Sequence, residues 1–210
     1  MSDLKTKSNS VVGVVLACLL LPIAEFEGWE LSQLEITTII TELGVIVVVT
    51  ALSIIATNFV DRELKFKLTF FSNKKPAFHS RKYALSDSRL DINQLEKKWP
   101  EIFLKDADKD RIEREWYSKV YLPVRDSIVV TSANKQFLIA RDCYIGWLFI
   151  TSIILTLDLN HIYDFSDYAL QLSLIFIVIL NLASRATGKN LVLNSICEAI
   201  NVNHKSVQAQ

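Results

Sequence analysis

Three hydroxyl side chains recur inside one long apolar stretch of the sequence, where polar groups are costly. Thr50, Ser53 and Thr57 follow one another at steps of three and four residues, so on a helix their hydroxyls lie on one side. Polar side chains within membrane helices usually face the helix bundle or a water-filled cavity. We therefore interpret these residues either as a pore-lining face or as a helix-packing face, since hydroxyl contacts commonly hold helices together in lipid.

The sequence lacks the motifs that support catalysis. It contains no GxSxG, no HExxH and no phosphate-cradling glycine loop. Asp106, Asp108 and Asp110 alternate like the start of a calcium loop, but Arg111 and Tyr117 replace the Gly and the bidentate Glu that such a loop needs. We expect a protein that is not an enzyme, with no catalytic, cofactor-binding or metal-binding residues.

Basic residues are concentrated in the middle of the chain, where 18 of the 23 Lys and Arg lie between residues 61 and 142. Near a membrane surface, anionic lipid attracts each such charge by roughly 1 kcal/mol. We expect membrane lipid as a partner of this cluster, and no direct nucleic-acid binding. The basic residues that closely follow the second apolar block are Lys65, Lys67, Lys74, Lys75, Arg81 and Lys82.

The apolar residues form four blocks, at residues 11–24, 36–60, 143–157 and 168–184. A membrane span needs roughly 20 predominantly apolar residues, which the second block supplies alone and the others reach with neutral flanking residues. Their arrangement in pairs predicts an all-α membrane protein, in which two transmembrane helical hairpins (four spans) flank a mostly helical cytoplasmic region. The alternative is two spans, with one pair lying in the interface or packed elsewhere.

Charge asymmetry predicts the orientation of these spans. The loops within the two pairs, at residues 25–35 and 158–168, contain four Glu and three Asp but no Lys or Arg. Because basic residues are retained on the cytoplasmic side, both termini and the middle region are predicted to be cytoplasmic. The aromatic residues expected to anchor the spans at the interface are Trp29, Trp147, Tyr163 and Tyr168.

The chain is therefore divided into five regions, with helices predicted in the cytoplasmic part. Apolar spacing predicts a helix over residues 88–99, a second over 106–122, and a third that begins at Pro123 and runs without a breaker into the third span. Residues 64–71 are expected to lie against the membrane surface or to form a short strand. The regions are a cytoplasmic tail (1–10), the first transmembrane hairpin (11–60), the cytoplasmic region (61–142), the second transmembrane hairpin (143–184) and a cytoplasmic C-terminal helix and tail (185–210).

The segment before the third span resembles a group of small multi-pass bacterial membrane proteins. In that group an Arg-Asp pair, an Asn and a following Phe-x-x-x-Arg precede a membrane span. Pro76 with Arg81, and residues 185–191, are also similar. The positions that match the main pattern are Arg125, Asp126, Asn134, Phe137 and Arg141.

Members of that group are met as membrane effectors in bacterial antiphage modules of the retron and cyclic-nucleotide types. The resemblance implies a multi-pass protein of the bacterial inner membrane that perturbs this membrane when infection is sensed. It also implies that the chain forms a homo-oligomer, that a cytoplasmic protein partner or sensor activates it, and that the five matching residues relay the signal.

Two alternatives remain open. The first is an adaptor that tethers a soluble cytoplasmic partner to the inner membrane. The second is a small transporter, although neither half shows the Gly- or Pro-interrupted spans that are typical of a midplane substrate site.

Overall fold

The described part of the chain is all-α. The computed structural model describes residues 2–27, 36–72, 74–109 and 111–208, with side chains for residues 8–27, 44–72, 74–109 and 111–202. Within these residues there are helices and no strand, as the sequence predicts. The α-helices are α1 (Ser2–Phe26), α2 (Ile36–Phe59), α3 (Arg62–Phe70), α4 (Ser80–Leu85), α5 (Ile92–Lys98), α6 (Pro100–Phe103), α7 (Ile112–Trp116), α8 (Ile128–Leu159) and α9 (Asp167–Gln208).

The chain divides into two compact units. Unit 1 comprises Met1–Lys65 and Leu138–Ser184. Unit 2 comprises Phe66–Phe137 and Arg185–Gln210.

Three helices in the described residues are long and apolar enough to cross a membrane. They are Ser8–Phe26 of α1, Ile128–Leu159 (α8) and Asp167–Val202 of α9. In α2, side chains are described only from Gly44 onward, and this part passes the same test only together with α3, from which it is bent by 106°. Four spans in two hairpins therefore stay a prediction.

Unit 1 is apolar on its outside as well as in its core. Leu16 of α1 and Trp147 of α8 are fully buried, and Ile150 is nearly so. On the surface of the same unit, Val14 is 64% exposed and Val178 is 58% exposed. A helix unit that is hydrophobic all round is typical of a protein that is surrounded by lipid.

Unit 2 has the opposite arrangement, with an apolar core beneath charged short helices. Helix α5 begins at Ile92 rather than at the predicted residue 88, because the Asp91 carboxylate caps it by accepting a hydrogen bond from the Asn93 backbone N–H at 2.9 Å. As predicted, it ends before Pro100. Helix α7 begins at Ile112, later than predicted. Before it, the Arg111 N–H donates to the Asp108 carbonyl at 2.9 Å, a bond of a tight turn. Among the described residues, the largest fully buried side chains of unit 2 are Phe103, Leu95, Ile102, Ile196, Val120, Val130 and Val192.

Helix α3 replaces the short strand that was one of two expectations for residues 64–71. Phe66 and Phe70 are four residues apart, so a helix places both rings on one side. Their ring centroids lie 6.4 Å apart. Packing of this aromatic pair favours the helix.

The two longest helices, α8 and α9, each run without interruption, and both extend beyond the predicted third and fourth spans. Helix α8 begins at Ile128, five residues after the predicted start at Pro123, which lies in a separate 3₁₀ turn (Leu122–Val124). From Ile128 it continues to Leu159 through the predicted third span, as expected. The C-terminal helix predicted after residue 184 is the continuation of α9, which runs from Asp167 to Gln208. No Pro occurs in that stretch, and its single glycine, Gly188, lies within the helix.

Candidate functional site

The predicted hydroxyl face of α2 is buried inside unit 1. Thr50, Ser53 and Thr57 are 6%, 2% and 4% exposed. The Ser53 hydroxyl donates to the Gly146 carbonyl of α8 at 2.8 Å, and the Thr57 hydroxyl donates to the Ser53 carbonyl at 2.8 Å. This arrangement supports the helix-packing interpretation for Ser53. Glu42, at the start of the same helix, has a side chain outside the described residues.

Helix α2 packs closely against α8 at Gly146, where α8 has no side chain. A Cβ atom at Gly146 would lie 2.8 Å from Leu16 Cδ1, 3.1 Å from Ser53 Oγ and 3.5 Å from Thr57 Oγ1. Helices in membranes use small residues at such interfaces because backbones can then approach closely. We call the contact of Leu16, Ser53, Thr57 and Gly146 the glycine junction.

A second polar contact joins α8 to α9. The Trp147 indole N–H donates to the Ser173 carbonyl at 3.0 Å, and the Thr151 and Ser173 hydroxyls are 2.8 Å apart. All three side chains are buried. The prediction that Trp147 anchors the span at the interface is therefore wrong, because this indole finds its hydrogen-bond partner inside the helix unit.

The other predicted interfacial aromatics have different outcomes. Tyr163 is 42% exposed and Tyr168 is 69% exposed, at the end of unit 1 where α8 connects to α9. Tyr168 stacks on Phe26 with ring centroids 6.1 Å apart. Trp29 lies outside the described residues.

A carboxylate also links α1 to the start of α9. Glu27 Oε1 accepts hydrogen bonds from the Ser166 backbone N–H at 2.9 Å and from the Ser166 hydroxyl at 2.8 Å. The Ser166 hydroxyl in turn accepts from the Ala169 N–H at 3.2 Å, so it caps α9. Glu27, one of the acidic residues of the loop at residues 25–35, therefore has a structural role.

A buried charge cluster lies in unit 1 around Asp142. Its Oδ1 accepts from Lys65 Nζ at 3.2 Å and from Arg141 Nε and a terminal nitrogen at 3.0 and 2.9 Å. Lys65 and Arg141 are each only 7% exposed. Two cations therefore share one carboxylate, and removal of that carboxylate would leave buried charge without this partner.

The five residues of the predicted relay are divided between the two units. Arg125 Nε lies 3.4 Å from Asp126 Oδ2, and both side chains are exposed on unit 2. Asn134 is half-buried, whereas Phe137 is in the core of unit 2. Arg141 belongs to unit 1. Their role as a relay remains a prediction.

Three of the stretches that resemble the bacterial membrane proteins are in contact around Gly188, namely those that contain Pro76, Phe137 and Gly188 itself. A Cβ atom at Gly188 would lie 3.1 Å from Phe70 Cζ, and 3.2 Å from both Phe137 Cε2 and Pro76 Cγ. The Phe137 ring centroid is 6.1 Å from that of Phe66 and 6.3 Å from that of Phe70. Nearby, Arg185 Nε donates to the Thr69 carbonyl at 3.0 Å.

Sequence reasoning missed the two glycines that permit these close approaches. The available signal was that only five glycines occur in the chain, and that Gly146 and Gly188 interrupt otherwise regular helical patterns. The partners of Gly146 were not predictable, because Leu16 and Ser53 are distant in sequence.

Three members of the basic cluster expected to bind lipid have acidic partners within the protein. Lys65 contacts Asp142, Lys75 Nζ lies 3.9 Å from a Glu113 oxygen, and Arg81 contacts both Glu96 and the Phe103 carbonyl. Lys74 lies over the Phe78 ring at 4.8 Å. Burial, and next the charge of Lys82, lower the pKa of His79 in the same region.

Neither metal-ligand clusters among the described residues nor comparisons with known proteins assign a function to this chain. The described ranges contain no group of three or more His, Cys, Asp or Glu that could hold a metal ion. Comparisons with protein-family models, with curated proteins and with solved structures find no match to this chain. The fold and the site therefore define a class by themselves: an all-α chain with membrane-length helices joined by buried hydroxyl contacts, and a second unit with its own core.

Proposed function

We propose that this chain is a membrane-embedded effector of a bacterial antiphage (abortive-infection) module, which perturbs the inner membrane when infection is sensed. The observation that carries the proposal is the combination of an apolar helical unit, joined internally by hydroxyl contacts, with a basic unit that has a separate core. The resemblance of residues 125–141 to membrane effectors supplies the biological setting.

The contacts in unit 1 suit helices that rearrange. Hydrogen bonds between membrane helices contribute about 0.6 kcal/mol each on average, so the Ser53–Gly146 and Thr151–Ser173 contacts hold the unit with modest strength. The exposed surface of α2 and α9 is largely aliphatic, including Val47 and Val178. Such a surface suits lipid or further copies of the chain, in keeping with a homo-oligomeric effector.

Unit 2 is suited to a cytoplasmic position and to receiving a signal. It contains 18 Lys and Arg against 11 Asp and Glu, a formal net charge of +7, and such charge favours the cytoplasmic side. Arg125 and Asp126 are exposed immediately before α8. Because α8 is one helix from Ile128 to Leu159, a protein partner that binds at its start acts on a rigid element.

The test is membrane potential during infection. Bacteria that express the full chain together with its neighbouring genes are infected with phage, while a potential-sensitive dye and culture growth are followed. We expect depolarisation and growth arrest before phage matures. Intact potential and continued growth, with the chain present in the membrane fraction, would contradict the proposal.

A matched pair of variants makes this experiment specific to the glycine junction. Gly146→Leu places a side chain against Leu16 and Ser53, whereas a Cβ atom at Gly44 meets no atom of the described residues within 4 Å. We expect Gly146→Leu to abolish depolarisation and Gly44→Leu to retain it, at equal amounts in the membrane.

A second candidate function is an adaptor that tethers a soluble partner to the membrane. It is favoured by the apolar side chains that unit 2 exposes, such as Ile128 at 88% and Leu85 at 60%. Affinity capture of the full chain in mild detergent separates the two functions. A stoichiometric partner without any change of membrane potential would support the adaptor.

A further inference from the structure

Thr50 differs from its two neighbours on the hydroxyl face of α2. Its side chain is buried, but among the described residues Thr50 Oγ1 has no hydrogen-bond partner. The Ser53 and Thr57 hydroxyls both donate to carbonyl groups. A buried polar group without a partner destabilises the arrangement that contains it.

The spacing of the hydroxyls relates Thr50 to the acceptor that Ser53 uses, the Gly146 carbonyl. Ser53 occupies the Gly146 carbonyl, and Thr50 precedes Ser53 by three residues. Three residues of an α-helix correspond to a rise of about 4.5 Å along the axis and to a rotation about 60° smaller than a full turn. A slide of α2 by that distance along α8, with a matching rotation, would bring the Thr50 hydroxyl to the position that Ser53 occupies.

The surface that α2 packs against is suited to such a slide. Gly146 presents no side chain to α2, and Gly13 of α1 is also close, since a Cβ atom there would lie 3.1 Å from Ile54 Cδ1 and 3.8 Å from Thr50 Cγ2. Packed helices that shift by about one turn are a known form of two-state switch.

We propose that α2 has two positions on α8, a resting position in which Ser53 bonds to the Gly146 carbonyl and a shifted position in which Thr50 takes its place. The unpaired Thr50 hydroxyl biases unit 1 away from the resting position, and the Ser53 bond opposes that bias. Under the proposed function, on which this last point rests, the shifted position is the one that perturbs the membrane.

The test measures the distance between α2 and α8 directly. Val48→Cys and Ile153→Cys are both at exposed positions and carry nitroxide labels. The three native cysteines are replaced by Ala, and the labelled full chain is diluted with unlabelled chain in lipid nanodiscs. Pulsed electron paramagnetic resonance then gives the distance distribution.

Ser53→Ala removes the resting bond, so we expect a second distance to appear, displaced by up to about 4.5 Å. Adding Thr50→Val removes the hydroxyl that the shifted position needs, so this second distance should disappear. Adding Thr57→Val to Ser53→Ala should leave it, because the Thr57 hydroxyl bonds within α2. Identical distributions for Ser53→Ala and for Ser53→Ala with Thr50→Val would overturn the proposal.

A stability measurement on the chain with native cysteines provides an independent check. Thr50→Val replaces an unpaired buried hydroxyl by a methyl group, so the thermal midpoint in detergent should rise by about 2–4 °C. A lowered midpoint would show that the hydroxyl is paired and would overturn the switch. Neither measurement depends on membrane depolarisation, so failure of the switch is distinguishable from failure of the proposed function.

Discussion

Unit 1 and unit 2 place their polar groups in opposite ways. In unit 1 the exposed side chains of the long helices are largely aliphatic, while hydroxyls such as those of Ser53 and Ser173 are buried. In unit 2 the surface is charged and the interior is built from rings and aliphatic side chains, such as Phe103 and Val120. The formal net charges also differ, at −7 for unit 1, with five Lys and Arg against 12 Asp and Glu, and +7 for unit 2.

This difference shows which interactions stabilise each unit. Burial of apolar area stabilises unit 2, as in any protein surrounded by water. Lipid is as apolar as a leucine side chain, so helices in a membrane gain little from apolar burial and depend on close packing and hydrogen bonds. Substitutions of the same kind should therefore have different effects in the two units.

The largest expected effect is the loss of a core ring from unit 2. Phe137→Ala removes a ring that is 3% exposed and contacts Phe66 and Phe70, so it should reduce the free energy of unfolding of unit 2 by about 3–5 kcal/mol. Gln136→Ala, at an exposed neighbouring position, is the control. Urea unfolding followed by tryptophan fluorescence measures both. Equal loss in the two variants would contradict the assignment of the core.

A smaller effect is expected from one methyl group at the glycine junction of unit 1. Gly146→Ala introduces a Cβ atom 2.8 Å from Leu16 Cδ1, and overpacking of this kind costs about 1–3 kcal/mol. Among the side chains that the structure describes, none lies within 4 Å of a Cβ atom at Gly44, so Gly44→Ala should be neutral or stabilising. Thermal unfolding in detergent compares them. If Gly146→Ala is as stable as Gly44→Ala, the helices are not packed as closely as described.

The sequence indicates much of this fold, because long apolar runs and helical spacing are local properties. The helix at Ile92–Lys98 and the continuous α8 are both predictable from caps, prolines and periodicity. The glycine junction is not, because Ser53 and Gly146 are 93 residues apart. The position of Trp147 is not predictable from its type, because an amphipathic ring suits a membrane interface and an interior position with a hydrogen-bond partner equally well.

A still smaller effect is expected at the α8–α9 contact. Thr151→Val removes a hydroxyl that lies 2.8 Å from the Ser173 hydroxyl, and such bonds in membrane helices average about 0.6 kcal/mol. Ser152→Ala serves as control, since the exposed Ser152 hydroxyl bonds to the Leu148 carbonyl within α8. Thermal midpoints in detergent should fall slightly for Thr151→Val and remain unchanged for Ser152→Ala. The reverse order would argue against the described contact.

The smallest effect is a pH dependence confined to unit 2. The pKa of His79 lies below its ordinary value of 6.5, chiefly because of burial and also because of Lys82, with Glu113 opposing the shift. Between the folded and unfolded pKa values the unfolded chain binds more protons, so stability should decrease as pH falls below about 6.5. His79→Gln should remove this component from urea unfolding measured across pH 5–8. An unchanged pH profile in the variant would assign the dependence to other groups.

The central claim about the two units is that the surface of unit 1 contacts lipid and the surface of unit 2 contacts water, and accessibility measurements test it most directly. Nitroxide labels at Val178→Cys of unit 1 and at Gln136→Cys of unit 2, on the full chain in nanodiscs, report accessibility to oxygen, which partitions into lipid, and to a water-soluble nickel chelate. The account predicts high oxygen and low nickel accessibility at position 178, and the reverse at position 136. High nickel accessibility at position 178 would contradict it, because the apolar surface of unit 1 would then face water.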